Sequence, residues 1–253
     1  MTARKKLTLI TYAPALAGKD SRTLNVIHGM EKAFPGLLLE WDVGESGRPI
    51  ALPQRDSWLM DRVEDGGFPL VCNGDERYPV TVWGIESSGL SSPGGQPQFE
   101  VHAKLPLDGP VIAAAAALLE AMAEGARAFW GHASPYGYGS EVAQQFRRSP
   151  DGPERSPRGL PTLNLPEKSP RAETPSFLGW MNYWSAAAAE LVGFPDPARD
   201  AELLTRARRT PSGGWIVQLT EAPLDYDNPA HLEALKRVYE RFPVIGGRTA
   251  PGP

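Results

Sequence analysis

His132 is the side chain whose type and surroundings could most directly do chemistry. Two hydroxyl side chains, Ser134 and Tyr136, lie within four residues of it, and a long predicted helix precedes it. An imidazole in that setting can act as a general base toward a hydroxyl, which is the chemistry of a hydrolase. A loop histidine satisfied by its neighbours is the more ordinary interpretation, and the sequence leaves both open.

The other reactive residue types favour structural roles. None of the histidines has a neighbour at the spacing of zinc ligands; they are His28, His102, His132 and His231. The single cysteine, Cys72, lies in an apolar stretch, where a free thiol behaves as a small hydrophobe. The paired glycines lack the lysine and hydroxyl of a phosphate-binding loop. The sequence therefore predicts no catalytic set, no metal site and no cofactor.

An acidic turn near the C-terminus is the strongest candidate for a binding surface. Residues 221–233 carry four carboxylates and no lysine or arginine. Such a turn is either a solvated loop whose acids favour the start of the next helix, or a negative patch that speeds association with a basic partner. The candidate partner-binding residues are Glu221, Asp225, Tyr226, Asp227 and Trp215.

An aromatic cluster precedes this turn. Trp180, Tyr183 and Trp184 have the spacing of one helical face, which Ala187 and Leu191 extend, and this predicts a helix over residues 178–192. Core packing is the ordinary role of such a face. Tryptophan and tyrosine are also enriched at binding hot spots, so a homodimer through this helix is the other interpretation.

Composition narrows the class of protein. The chain has 253 residues, 41% apolar residues and seven tryptophans, which fits a folded globular protein. Its net charge of −4 argues against a general nucleic-acid binder, which needs a basic face. We expect one domain over residues 1–253, no nucleic acid or membrane partner, and a cytoplasmic location.

The first residues imitate a signal peptide. Basic residues 4–6 precede an apolar run that ends in a small-x-small pattern at residues 15–17. Polar and proline residues interrupt the run, however, and residues 7–12 are rich in β-branched and aromatic side chains. The sequence therefore predicts a first strand rather than a removable signal.

Periodicity predicts an α+β fold in two halves, residues 1–146 and 176–253, joined by a proline-rich surface loop at residues 147–175. In the first half we expect strands at 7–13, 37–43, 68–72, 80–86 and 98–107. Helices are expected at 24–34, 56–64 and 111–128. The second half predicts helices at 178–192, 198–208 and 229–242 and a strand at 215–219, with Asn228 as the last helix's N-cap. We expect a mostly antiparallel sheet with helices packed on one face.

The last seventy residues resemble the type VI immunity family, whose members neutralise toxins exchanged between bacteria. Trp180 and Tyr183 match that family's Trp-x-x-Tyr element, and residues 215–219 match its strand. Residues 222–228 match its turn, although Ala222 and Tyr226 replace the expected glycines. Tyr239 and Pro243 match its closing helix. Trp180, Tyr183, Trp184, Asn228 and Tyr239 are accordingly expected to be structural.

Over nearly its full length the chain is similar to an uncharacterised domain family of swarming soil bacteria. The immunity resemblance implies a stoichiometric inhibitor of a cognate toxin, with a basic surface on the toxin and no chemistry in this chain. The alternatives are a hydrolase-like enzyme with a site around His132, and a structural or regulatory protein that dimerises through the aromatic helix.

Overall fold

The computed structural model describes residues 5–18, 20–44, 47–64, 67–147, 156 and 158–248. The strands are β1 Lys6–Pro14, β2 Trp41–Val43, β3 Pro49–Ala51, β4 Phe68–Cys72, β5 Thr81–Ser87, β6 Gln98–Pro106, β7 Trp130–Pro135, β8 Met181–Trp184, β9 Ala207–Arg209 and β10 Trp215–Gln218. The helices are α1 Arg22–Ala33, α2 Arg55–Glu64, α3 Gly109–Ala126, α4 Tyr138–Ala143, α5 Ala186–Val192, α6 Ala201–Leu204 and α7 Pro229–Arg241.

The ten strands form one antiparallel sheet in the order β3-β2-β4-β5-β6-β1-β7-β8-β10-β9. The predicted α+β class is therefore confirmed. β1 lies near the centre and pairs with β6 and β7. Its side chains alternate between fully buried, as at Leu7 and Leu9, and partly exposed, as at Thr8 and Ile10, as expected for a strand with two differently covered faces.

Helices α1 and α3 cover the face of the sheet that carries Leu7 and Leu9. Asp108 caps α3 by accepting a hydrogen bond from the amide of Val111 at 3.1 Å. The two helices approach closely, because a Cβ on Gly125 would lie only 2.9 Å from the carbonyl oxygen of Asn25. α3 is long and apolar enough to cross a bilayer by length and composition, but here it packs as a core helix.

The predicted helix at residues 178–192 is wrong in its first half. Residues 181–184 form β8 between β7 and β10, and all four side chains are buried. The Tyr183 hydroxyl donates to Glu124 of α3 at 3.2 Å, whereas the Trp184 ring meets Phe242 on the opposite face at 5.3 Å. A strand buried on both faces carries a continuous aromatic run, which explains why its spacing also fitted a helix.

Four further segments differ from the sequence prediction. The expected helix at 198–208 is the short α6 followed by β9, and β7 and β3 occupy segments that had no predicted strand. The strand expected at 37–43 is confined to β2. Asn228 is the N-cap of α7 as predicted, accepting from the amide of Ala230 at 3.0 Å.

The face of the sheet opposite Leu7 and Leu9 is covered by different elements. In the C-terminal half, α7 places Phe242 on this face, next to Trp184. The described part of the proline-rich segment also packs here, because Leu160 and Leu163 are buried and Leu163 forms a bridge with Phe146. Helices therefore contact both faces of the C-terminal half, while α1, α2 and α3 cover the N-terminal half.

Candidate functional site

The acidic turn borders an open cleft of about 1000 Å³, which we call the acidic-turn cleft. One wall is the turn itself, through Asp225, Tyr226 and Asp227. Facing residues come from the ends of β1 and β6 and from the start of α4. The volume is in the range of protein sites that hold ligands.

The turn is held in one conformation by its own hydrogen bonds. The Asp225 carboxylate accepts from the amide of Asp227 at 3.0 Å, which is an Asx turn. The Asp225 amide donates to Nδ1 of His231 on α7 at 3.1 Å. Leu224 beside it is buried, and Asn228 caps α7 immediately afterwards. The two aspartates are therefore exposed on a backbone that is already ordered.

Arg158 neutralises part of the turn's charge. Its guanidinium donates two hydrogen bonds to Glu141, at 2.9 and 3.1 Å, and one to Asp227 at 3.0 Å. It also donates to the Tyr226 carbonyl oxygen at 3.1 Å and lies 5.6 Å from the Tyr226 ring. The bonds to Glu141 and then Asp227 raise the pKa of Arg158. No basic side chain in the described ranges pairs with Asp225 or Glu221, so these acids remain free to attract a partner.

The candidate partner-binding residues are only partly brought together. Asp225, Tyr226 and Asp227 line the cleft, and Tyr226 is half-buried with its ring 5.6 Å from that of Tyr138. Burial, followed by Tyr239, raises the pKa of Tyr226, so its hydroxyl stays neutral. Glu221 is exposed but does not line the cleft.

Trp215 lies apart from the cleft. It is half-buried on β10, and its ring meets Phe194 edge-on at 5.3 Å. Its position on a strand directly opposite Trp184 accounts for this, since the two side chains share a face of the sheet. Trp215 therefore serves the aromatic packing of the C-terminal half.

A basic wall of the cleft was missed by the sequence reasoning. Lys5, Lys6 and Lys104 line it, and the Lys104 ammonium lies 5.0 Å from the centre of the Trp83 ring. The sequence signal for this wall was the alternation along β6, which places Lys104 on the face opposite buried Leu105. The proximity of Lys104 to Lys6 depends on the pairing of β1 with β6. The cleft is thus bipolar, with aspartates on one wall and lysines on another.

His132 lies in the interior rather than at a surface site. Its side chain is 3% exposed, and its Nδ1 is 3.3 Å from the Oγ of Ser134, which is itself buried. The Phe177 and Tyr138 rings lie 4.8 and 5.9 Å away. Burial, followed by the charge of His102, lowers the pKa of His132 to about 3. A substrate could not reach this imidazole without opening the core, so the geometry argues against a hydrolase site here.

The residues of the resemblance motif are structural in the fold. The Trp180 indole donates to the Thr220 carbonyl oxygen at 2.8 Å, and the Leu178 amide donates to the Tyr239 hydroxyl at 3.1 Å. Trp180, Tyr183, Trp184 and Tyr239 are all buried. These four side chains are therefore not exposed for contact with a second copy of the chain. Within the described ranges, no group of three potential metal-ligating side chains comes together.

The family model described as "Domain of unknown function (DUF5953)" matches residues 18–250, which includes every strand from β2 onward. The chain belongs to the DUF5953 family. This agrees with the expected similarity to an uncharacterised family over nearly the full length. No curated protein matches the DUF5953 chain.

Solved structures share the fold of this DUF5953 protein. One of them is titled "Pseudomonas aeruginosa T6SS protein PA0821" and aligns over 94% of this chain and 73% of its own, with a TM-score of 0.56. The identity is 15%, so the likeness concerns the fold. The similarity nevertheless extends through both halves and is not confined to the C-terminal segment.

Proposed function

We propose that this DUF5953 protein is an immunity-type binding protein that neutralises a cognate bacterial toxin by stoichiometric binding, without chemistry of its own. The observation that carries the proposal is the acidic turn, ordered and exposed beside an open cleft. The motif resemblance of the last seventy residues and the fold shared with a T6SS protein support the same role.

The acidic-turn cleft is suited to a protein partner with a basic surface. Asp225 and Glu221 are exposed, and the hydrogen bonds of the turn fix its backbone before binding. A preorganised surface loses less conformational entropy on association than a mobile loop. Exposed charges at such a rim mainly raise the association rate and reject partners of the wrong sign.

The lysine wall adds specificity to this arrangement. A partner that presents only basic residues would meet repulsion from Lys6 and Lys104 as it entered the cleft. A toxin surface with basic side chains toward Asp225 and an acidic side chain toward the lysines satisfies both walls. We therefore infer that the partner matches the cleft with charges of both signs, basic ones predominating at the turn.

The proposal is tested by capture of a partner from the lysate of the native host. Tagged protein and its D225N/D227N variant are compared, because asparagine keeps the acceptor oxygens of the turn but removes both charges. The matched control is E190Q/E240Q, which removes two exposed carboxylates on α5 and α7 outside the cleft.

We expect one partner to be retained stoichiometrically by the native protein and the control, and lost with D225N/D227N. Expression of that partner alone should arrest growth of a heterologous host, and co-expression of the native protein should restore it. A partner that is harmless, or retained equally by all three proteins, contradicts the proposal. Retention of none contradicts it as well.

A further inference from the structure

Arg158 reaches the acidic turn from a distant part of the chain. It lies in a turn in which the amide of Ser156 donates to the Leu160 carbonyl oxygen at 2.8 Å, and Leu160 is buried. From there its side chain extends to Glu141 of α4 and to Asp227, which are 17 and 69 residues away in sequence. The contact therefore joins three separate segments in the wall of the acidic-turn cleft.

The acceptors around Arg158 match the shape of a guanidinium group. Glu141 accepts from Nε and Nη2, at 2.9 and 3.1 Å, which is the paired geometry of an arginine fork with a carboxylate. Nη1 donates to the Asp227 carboxylate at 3.0 Å and to the Tyr226 carbonyl oxygen at 3.1 Å. The guanidinium carbon lies 5.6 Å from the centre of the Tyr226 ring. Two carboxylates, a carbonyl oxygen and a ring thus form a receptor for a planar cation, which we call the guanidinium site.

A ligand can reach the guanidinium site from the cleft. The Asp227 side chain is 85% exposed and that of Arg158 is 33% exposed. Glu141 retains 23% exposure even while it is paired with Arg158. Ion pairs this close to solvent contribute little net stability, because water and salt screen them. Arg158 can therefore leave the site at a small cost, provided that another cation takes its place.

The walls of the guanidinium site are held by contacts other than those of Arg158. The Asx turn at Asp225 fixes the backbone of Asp227, and the Asn228 cap begins α7 directly after it. Tyr138 is buried and anchors the start of α4, less than one turn before Glu141. The site should consequently keep its shape when Arg158 is absent. Its two carboxylates would then have no other ion-pair partner in the described part of the chain.

We propose that the guanidinium site receives an arginine side chain of the partner, and that Arg158 occupies it in the free protein as an internal competitor. This inference rests on the proposed binding function and specifies its chemistry. Exchange of one guanidinium for another keeps every hydrogen bond of the site, so the surrounding interface decides which arginine is bound. A lysine ammonium has no planar fork to match Glu141 and leaves acceptors unfilled. The partner is therefore expected to present arginine, rather than lysine, opposite Glu141 and Asp227.

The site is tested with Nα-acetyl-argininamide, whose only charge is its guanidinium. Binding to the full chain and to its Arg158→Ala variant is followed in ¹H–¹⁵N spectra through the amide signals of Glu141 and Asp227. Arg158→Ala should bind the probe saturably, with a Kd of roughly 1 mM. The native protein should bind it about tenfold more weakly or worse, because the tethered Arg158 competes at a high effective concentration. Arg158→Lys leaves a poorer competitor and should lie between the two.

Matched comparisons locate the interaction. Nα-acetyl-lysinamide should bind Arg158→Ala about fivefold more weakly than the arginine probe, since it cannot form the paired bonds with Glu141. Adding Glu141→Gln to Arg158→Ala should weaken the arginine probe about tenfold, because it removes a charge-assisted pair. Arg237→Ala removes an exposed arginine of α7 outside the cleft, with the same change of net charge, and should behave as the native protein. Thermal unfolding of each variant separates loss of binding from loss of fold.

The partner captured from the host lysate gives a second measurement. Arg158→Ala should bind it about tenfold more tightly than the native protein or Arg237→Ala does, because no internal arginine has to be displaced. Equal or weaker binding overturns the proposal, and weaker binding would mean that Arg158 itself contacts the partner. A folded Arg158→Ala that does not bind the arginine probe, or that binds the lysine probe equally well, overturns it too.

Failure of the proposed function is seen separately from failure of this inference. If the capture experiment returns no toxin although Arg158→Ala binds the arginine probe, the toxin-neutralising role is refuted. If a toxin is captured but Arg158→Ala does not bind the probe, only the guanidinium site is refuted.

Discussion

The buried imidazole of His132 should make the protein acid-sensitive in a measurable window. Its folded-state pKa is lowered from 6.5 to about 3 by burial and then by His102. In the unfolded chain this imidazole takes up a proton near pH 6.5, while in the folded protein it remains neutral. Its contribution to stability is therefore complete above pH 6.5 and is lost as pH falls toward about 3.

The magnitude follows from proton linkage. Each pH unit between the two pKa values lowers the free energy of unfolding by about 1.4 kcal/mol, so the loss at pH 4.5 is roughly 3 kcal/mol. Urea unfolding of the native protein and His132→Gln at a series of pH values isolates this slope, since other titrating groups contribute equally to both curves. His28→Gln, which removes an exposed imidazole on α1, is the control.

The difference between the native and His132→Gln unfolding free energies should shrink steadily as pH falls from 6.5 to 4.5. His132→Gln is expected to be less stable than the native protein at pH 7, because it disturbs packing against Phe177 and Tyr138. Only the change with pH is therefore diagnostic. Parallel curves over this range would refute the placement of His132 in a closed core, and would reopen the hydrolase interpretation.

Two stability predictions concern the supports of α7. Asp200→Ala removes a fully buried carboxylate that holds Arg241 at 2.6 and 3.0 Å, and should cost about 3–5 kcal/mol in urea unfolding. The control is Glu202→Ala, which removes the exposed partner of Arg206 and should cost about 0.5 kcal/mol or less. Equal costs for Asp200→Ala and Glu202→Ala would contradict the burial of the Asp200 carboxylate. Asn228→Ala removes the helix cap and should cost about 1 kcal/mol by the same measurement, whereas no change would mean that the cap bond is absent in solution.

Elements with strong local periodicity could be predicted from the sequence. β1 alternates between buried and half-buried side chains, and α7 has a cap and an apolar stripe, so each carries its own signal. β7 does not. Its Gly131 is required because a Cβ there would lie 2.8 Å from the Ile10 carbonyl oxygen, a contact that exists only once β1 and β7 are paired.

The site could be predicted in part for the same reason. Asp225 and Asp227 are close in sequence, and their turn is a local structure, so the acidic wall was found. Arg158 reaches Asp227 from 69 residues away, and Lys104 meets Lys6 only through strand pairing. The charge balance of the cleft therefore depends on tertiary contacts that periodicity does not encode.

The most direct test of the proposed binding role is the association rate of the captured toxin with the protein at low and high ionic strength. For the native protein and E190Q/E240Q, association should be fast at low salt and should slow as salt screens the exposed charges. For D225N/D227N, we predict a rate about tenfold lower at low salt and a much weaker salt dependence. Identical rates and salt dependence for all three proteins would contradict the claim that the acidic turn is the surface that meets the toxin.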